Sequence, residues 1–197
     1  MIDPTRRLSP HFTLGELLHS ETAERIPSLR DQQMNPPAAV ATNLEHLVTR
    51  TLEPLRQLLA LPLHVTSGYR SPDLNRRVGG APTSQHLLGQ AADLHLILAP
   101  SETAPLLRML NIAARAYTGK PLRPDLAPDF LLFAWIALHL AALDVDQLIH
   151  EYGSGPGHPA WVHVSSSPGE SSRRQILVID RYGTQALELT GALVLGT

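Results

Sequence analysis

The 197-residue chain has no cysteine. That excludes a disulfide framework and any thiolate metal site, so a metal ion would have to be held by histidine, aspartate or glutamate. It has no cationic excess either. Sixteen Lys and Arg against eighteen Asp and Glu leave a formal net charge of −2, which offers no basic footprint for nucleic acid. The most apolar run, F-L-L-F-A-W-I-A-L-H-L-A-A-L over residues 130–143, is short of the roughly 20 residues that a membrane span needs and contains His139. It reads as a buried helix, so no stable membrane insertion is expected. The opening M-I-D-P-T-R-R-L lacks the apolar core of a signal peptide, and the chain is expected to be cytoplasmic when made. Charged residues are few, at 17%, while 43% are apolar, which suits one globular domain over residues 1–197. Histidine is plentiful, with ten residues, and mildly favours a metal-binding role for a few of them.

In chain order, residues 1–10 read as a flexible arm. F-T-L-G-E-L-L then starts a short helix, with Thr13 as N-cap and Glu16 completing a capping box. Pro27 and the Pro36-Pro37 pair mark 26–37 as a loop. A helix over 38–60 follows, kinked or divided at Pro54, with His46 at its boundary. L-P-L-H-V-T-S reads as a strand with Leu63, Val65 and Ser67 on one covered face. A-A-D-L-H-L-I-L-A reads as another, with Asp93, His95 and Ile97 opposite Leu94, Leu96 and Leu98. Ser101 caps a helix to about Tyr117, and 126–143 is the apolar helix. Segments around D-Q-L-I-H-E, A-W-V-H-V-S, Q-I-L-V-I-D and A-L-E-L are strands, expected as antiparallel neighbours because short links join them.

The stretch from Ser67 to Asp93 carries the chemistry. It holds S-G-Y-R-S and then S-Q-H-L-L-G-Q-A-A-D, with His86 and Asp93 joined by a turn of small residues. Far downstream, W-V-H-V-S supplies His163. Two imidazoles and one carboxylate are a donor set for Zn²⁺ that leaves a fourth position for water. Taken without the motif, Asp93 reads equally well as a strand-end acid paired with an arginine, and His86 as a loop cap.

The order S-G-Y-R-S, then S-x-H-x-x-G-x-A-x-D, then W-V-H-V-S resembles the M15 family of zinc D-Ala-D-Ala carboxypeptidases and L-Ala-D-Glu endopeptidases, with most likeness to its phage and bacterial lysin-like branch. The resemblance implies an α+β fold of the hedgehog/DD-peptidase type, a small antiparallel sheet flanked by helices, here with a helical insertion around 102–143. It implies a Zn²⁺ cofactor held by His86, Asp93 and His163, with Ser84 and Gly89 in the turn. Arg70 would hold a substrate carboxylate or steady an oxyanion. The implied substrate is a peptidoglycan stem peptide, with action on the cell wall after release. A phage or virion assembly partner, and a virion-associated location, belong to the same expectation. The alternative is a non-catalytic wall-binding or virion structural domain on the same fold.

One departure matters. Many members carry an acid or a second histidine two or three residues before the last histidine ligand, where this chain has Ala160 and Trp161. Glu151, ending the preceding strand, is the expected replacement as general base. Ser84 and Trp161 are expected at the substrate cleft. Ala91, Ala92 and Gly89 are expected to let the backbone pass close to the metal. His95 and His158 are possible edge residues of the site with no assigned role.

Overall fold

A computed structural model describes residues 3–169 and 172–197. The protein is α+β, with one six-stranded sheet and helices packed mainly on one of its faces. In chain order the helices are α1 Leu14–Leu18, α2 Glu21–Glu24, α3 Pro27–Gln33, α4 Ala38–Leu47, α5 Glu53–Leu59, α6 Pro72–Arg77, α7 Pro100–Thr118, α8 Pro128–Leu138 and α9 Leu189–Val194. The strands are β1 His64–Ser67, β2 Ala91–His95, β3 Gln147–Glu151, β4 Trp161–Ser165, β5 Gln175–Asp180 and β6 Gly183–Leu187. Among the described residues, no helix is long and apolar enough to cross a membrane.

The strand order is β1-β2-β4-β3-β5-β6. All neighbours are antiparallel except β3 and β5, which run parallel. The expectation that the last four strands are all antiparallel therefore fails at one pair. β4 forms a hairpin with β3 but also pairs with β2, so β5 must take the other edge of β3 and does so in the parallel sense. Alternation along each strand then sorts the side chains. Leu94, Val162, Val164 and Leu148 face the helices and are buried. Asp93, His163, Ile149 and Leu177 form one row on the opposite face, and Trp161, Glu151 and Ile179 form the next row.

α8 is apolar all round, so it needs cover on every side. Phe130 to Ala137 are all buried, and the helix lies across β2, β3 and β4. It ends at Leu138, shorter than the expected 126–143. A 3₁₀ turn at Leu140–Ala142 follows. α7 begins one turn-position before Ser101: Pro100 takes the first helical position, and Glu102 accepts the Ala99 N–H at 2.8 Å. The helical segment over 102–143 thus supplies core rather than a lid.

Three further expectations are revised, and a fourth, the division of the long helix at Pro54, holds. Residues 3–10 are tied down, since Leu8 is buried and backbone bonds join Leu14 to Arg6 and Gly15 to Pro4; residues 1–2 of the expected arm lie outside the described residues. The 26–37 loop contains helix α3, because Pro27 at the first helical position starts a helix rather than stopping one. Pro54 divides the long helix through a π-helical turn, Val48–Leu52, since it has no N–H for the Arg50 carbonyl. The tail of A-L-E-L leaves the sheet at Leu187 and enters α9.

One buried carboxylate, Asp146, and one half-buried one, Asp144, anchor the start of β3 and shape the pH response of the fold. Arg173 holds Asp146 through its Nε (2.9 Å) and backbone N–H (3.0 Å), and Gln85 Nε2 donates at 3.0 Å. These bonds, Arg173 foremost, outweigh burial and keep the carboxyl below its ordinary 3.8. Burial opposes the Asp144 carboxylate, but hydrogen bonds from Ser172, Ser166 and His46 win and lower it too. A depressed carboxyl contributes its full stability above its unfolded value and loses it as pH falls through the folded one. Urea unfolding should therefore show stability falling below about pH 4, and Asp146→Asn should be less stable at neutral pH with a shallower acid loss.

Candidate metal centre and cleft

The site begins in the S-G-Y-R-S turn after β1. A β-bulge between Val65 and Ser67 breaks the alternation of that strand. Val65 stays on the core side opposite Leu94, whereas Ser67 pairs with Asp93 on the other face. The expected single face for Leu63, Val65 and Ser67 is thus split at the bulge. Gly68 then passes tightly against α1: a Cβ there would sit 2.3 Å from the Leu17 carbonyl oxygen. Tyr69 N–H donates to that same oxygen at 2.8 Å, and Arg70 N–H donates to the His86 carbonyl at 3.0 Å.

The turn is pinned from α3. The Gln33 amide is buried, donates to the Leu18 and Tyr69 carbonyls at 2.9 and 2.6 Å, and accepts from Ser71 N–H at 2.8 Å. Gln33 was missed in the sequence because its segment looked like a loop. A polar residue at a buried helix position was its only signal.

His86 sits in a 3₁₀ turn, Gln85–Leu88, capped by Ser84, whose hydroxyl accepts from His86 N–H at 3.4 Å. Gly89 ends the turn in a left-handed conformation, φ +68°. A side chain there would meet the Val40 carbonyl of α4 at 2.8 Å, so this glycine serves turn geometry and helix packing rather than closeness to a metal. Ala91 and Ala92 are buried in the sheet, with Ala92 part of the main core cluster.

His86, Asp93 and His163 converge, and all three are at most 6% exposed. His86 Nε2 lies 3.2 Å from His163 Nδ1, and both lie near Asp93 Oδ1, at 3.2 and 3.1 Å. The other His86 nitrogen, Nδ1, donates to the Gly68 carbonyl at 2.5 Å. Burial pushes the His86 imidazole down in pKa against the pull of Asp93, leaving it neutral. Its Nε2 then carries a lone pair. Burial opposes the Asp93 carboxylate, but the two imidazoles beside it win and hold its carboxyl far below the usual range. Three ligand atoms within 3.2 Å of one another at one buried point form a donor set able to hold a cation. Among the described residues, this is the one group of three or more such side chains able to hold a metal ion.

The Arg70 guanidinium binds Asp93 Oδ2, and its Nε donates to Ser67 Oγ at 2.8 Å, leaving Oδ1 to the imidazoles. Asp73 is held by Arg76 and Gln32. Two of the five N–H groups of Arg70 are spent this way, and the side chain still lines the cleft.

A cleft of about 1010 Å³ opens over the group, with Arg70, Ser84, His86, Glu151, Trp161 and His163 in its wall. Glu151 pairs with Trp161 in the β3–β4 register, one rung from His163, and diagonal neighbours of this kind lie about 7–8 Å apart. Trp161 Nε1–H donates to Glu151 Oε2 at 2.7 Å, fixing the carboxylate. Burial and the nearby Asp93 charge raise the Glu151 carboxyl, against His163, Trp161 and Arg70. Across Arg70 and Val78 lies a second cavity of about 400 Å³, lined by β1 residues including His64, Thr66 and Ser67. β2 and β4 carry Asp93 and His163 between β1 and β3; the larger cleft is lined from β3 and β4 and the smaller cavity from β1.

The remaining histidines of interest are committed elsewhere. His95 pairs with Asp129 of α8 at 2.7 Å, His46 with Asp144 at 3.0 Å, and His158 is nearest Asp125 at 3.9 Å.

An α+β sheet with a buried His–Asp–His group at the base of a cleft defines a class of candidate metallohydrolases. The chain belongs to the M15 peptidase family: the family profile described as Peptidase M15 matches residues 10–121, more than half of the sequence. The matched stretch includes Arg70, Ser84, His86 and Asp93, and ends before Glu151, Trp161 and His163. No curated protein matches the chain.

Removing the pin on the turn tests this construction of the site. Gln33→Ala leaves the Ser71 N–H and two carbonyls without their partner and should cost about 1–3 kcal/mol in urea unfolding, with weakened metal uptake.

Proposed function

We propose that the protein is a zinc-dependent peptidase that cuts peptidoglycan stem peptides. The observation that carries this reading is the convergence of His86 Nε2, His163 Nδ1 and Asp93 Oδ1, at mutual distances of 3.1–3.2 Å, beneath a cleft that also holds Glu151. The fit to zinc rests on the donors themselves. Bonds of about 2.0–2.1 Å to a tetrahedral ion separate its ligand atoms by about 3.3 Å, close to the spacing here. Gly68 behind His86 and Arg70 behind Asp93 act as the outer partners that orient metal ligands. When bound, zinc supplies Lewis acidity and brings the pKa of a coordinated water to about 7.

The chain's own residues do the rest. Glu151 Oε takes the proton of the attacking water and returns it to the nitrogen of the leaving amine. Trp161 keeps the carboxylate turned toward the cleft. Arg70 fixes Asp93 and offers its remaining N–H groups to a peptide carbonyl or carboxylate. Ser84 borders the substrate. A second cavity that adjoins the cleft at Arg70 and Val78 extends the space for substrate and favours a cut inside the stem, of the L-Ala-D-Glu endopeptidase kind, over removal of a terminal residue.

Purified peptidoglycan incubated with the zinc-loaded protein should release new amino termini, and a chelator should stop it. Bound zinc with no release would make the chain a non-catalytic wall-binding domain. Mass spectrometry of the muropeptides should show internal fragments; free D-alanine alone would place the activity with the carboxypeptidases. Glu151→Gln should keep zinc while kcat falls about 10²–10⁴-fold. Unchanged turnover in that variant removes Glu151 from the mechanism.

A further inference from the structure

β3 ends at Glu151, and the next residue departs from the strand pattern. Alternation would send residue 152 to the face of His150, away from the cleft. Tyr152 instead takes a left-handed backbone, φ +47°, and its ring lies 5.7 Å from that of Trp161, tilted by 52°, in the wall of the cleft. A bulky side chain in that region is an outlier, and glycine would hold the same φ at lower cost. The surrounding backbone enforces it. Tyr152 N–H donates to the Ile179 carbonyl at 2.7 Å, and Ala160 N–H donates to the Glu151 carbonyl at 2.9 Å. Gly153 follows at φ +91°, so close to the returning loop that a Cβ would sit 2.0 Å from the His158 carbonyl oxygen.

The ring does little for the interior. Tyr152 is 51% exposed and belongs to neither apolar cluster of the core, so burial offsets little of the backbone cost. Backbone outliers of this kind gather at functional sites. What the conformation achieves here is placement. Tyr152, Trp161 and Ile179 make one end of the cleft apolar, whereas Gln85, Gln147 and Ser167 line the other. The row of Asp93, His163 and Ile149 runs between the two ends, with Glu151 and Trp161 on the next rung.

We propose that Tyr152 is a specificity-determining residue, forming with Trp161 and Ile179 an apolar wall for the aliphatic part of the substrate on the amine side of the scissile bond. The direction follows from Glu151. It stands in this row and returns its proton to the leaving nitrogen, so the amine-side segment lies along the row. One rung is about 7 Å along the strands, the reach of one or two extended residues beyond the metal row. Ring faces and a branched aliphatic side chain suit C–H groups. The row has no cation to hold a carboxylate, and its one acid is engaged by the indole. The proposal rests on the stem-peptide reading of the cleft and adds which part of that peptide each end receives.

The probe is N-acetyl-L-Ala-γ-D-Glu-L-Lys-D-Ala, titrated by calorimetry into the zinc-loaded full chain carrying Glu151→Gln, so that binding is read without turnover. Adding Tyr152→Gly should weaken binding about tenfold. In the chain that keeps Glu151, Tyr152→Gly should raise KM for peptidoglycan by a similar factor and leave kcat within about twofold. Its urea midpoint should not fall, since glycine suits φ +47°. Tyr152→Phe keeps the ring and should restore the affinity. Unchanged affinity in Tyr152→Gly, a fall in kcat with KM unaltered, or a loss in Tyr152→Phe as large as in Tyr152→Gly would each overturn the wall. A marked fall in the urea midpoint would make the ring a structural brace and overturn it too, as would no saturable binding of the tetrapeptide. Binding weakened by Tyr152→Gly, with no amino termini released by the unaltered chain, would sink the peptidase reading alone. Release unimpaired in Tyr152→Gly would sink this inference alone.

Discussion

Everything at the centre of this protein depends on one electrostatic constraint. A neutral imidazole, a second imidazole and an ionised carboxylate are held with their ligand atoms about one hydrogen-bond length apart, in a place that water scarcely reaches. With its Nδ1 turned to Gly68, His86 presents Nε2 to the other two ligand atoms. The fold tolerates this because each ligand is braced from behind. Gly68 stands behind His86, Arg70 and Ser67 stand behind Asp93, and the β2–β4 pairing sets Asp93 beside His163. A cation bound there would add attraction to all three ligand atoms.

The sheet extends that constraint outward. Pairing of β3 with β4 sets Glu151 opposite Trp161, one rung from His163, so an acid reaches the cleft from the adjacent strand. Many relatives of this type carry that acid just before the last histidine, where this chain has Ala160 and Trp161. The Trp161 indole stands there and donates to the Glu151 carboxylate. The same strand sends His150 to the opposite face, against Phe130 and Phe133 of α8. Strand alternation makes that economical: neighbouring residues cannot share a face.

The parts of the molecule away from the cleft follow from packing. α8 has no polar stripe and must be enclosed, which places it between the sheet and α7. α3 supplies Gln33, whose amide ties α1 to the Tyr69 and Ser71 backbone and so sets the position of Arg70. Metal-site geometry is thereby coupled to a short helix far from it in sequence.

Local chemistry was legible in the chain. Thr13 and Glu16 form the capping box that their spacing announces, Pro54 divides its helix, and the spacing of His86, Gly89 and Asp93 marks a turn entering a strand. These features depend on backbone rules that act within a few residues. Other features did not follow from pattern. The bulge that turns Ser67 toward Asp93, the parallel return of β5 and the pairing of Arg70 with Asp93 all depend on partners distant in sequence. Composition and motif determined the donor set and the cap and turn positions, because residue type and local spacing dictate them. Only the tertiary structure decided which face each donor occupies and what stands behind it, because register, bulges and burial are settled between strands rather than along them.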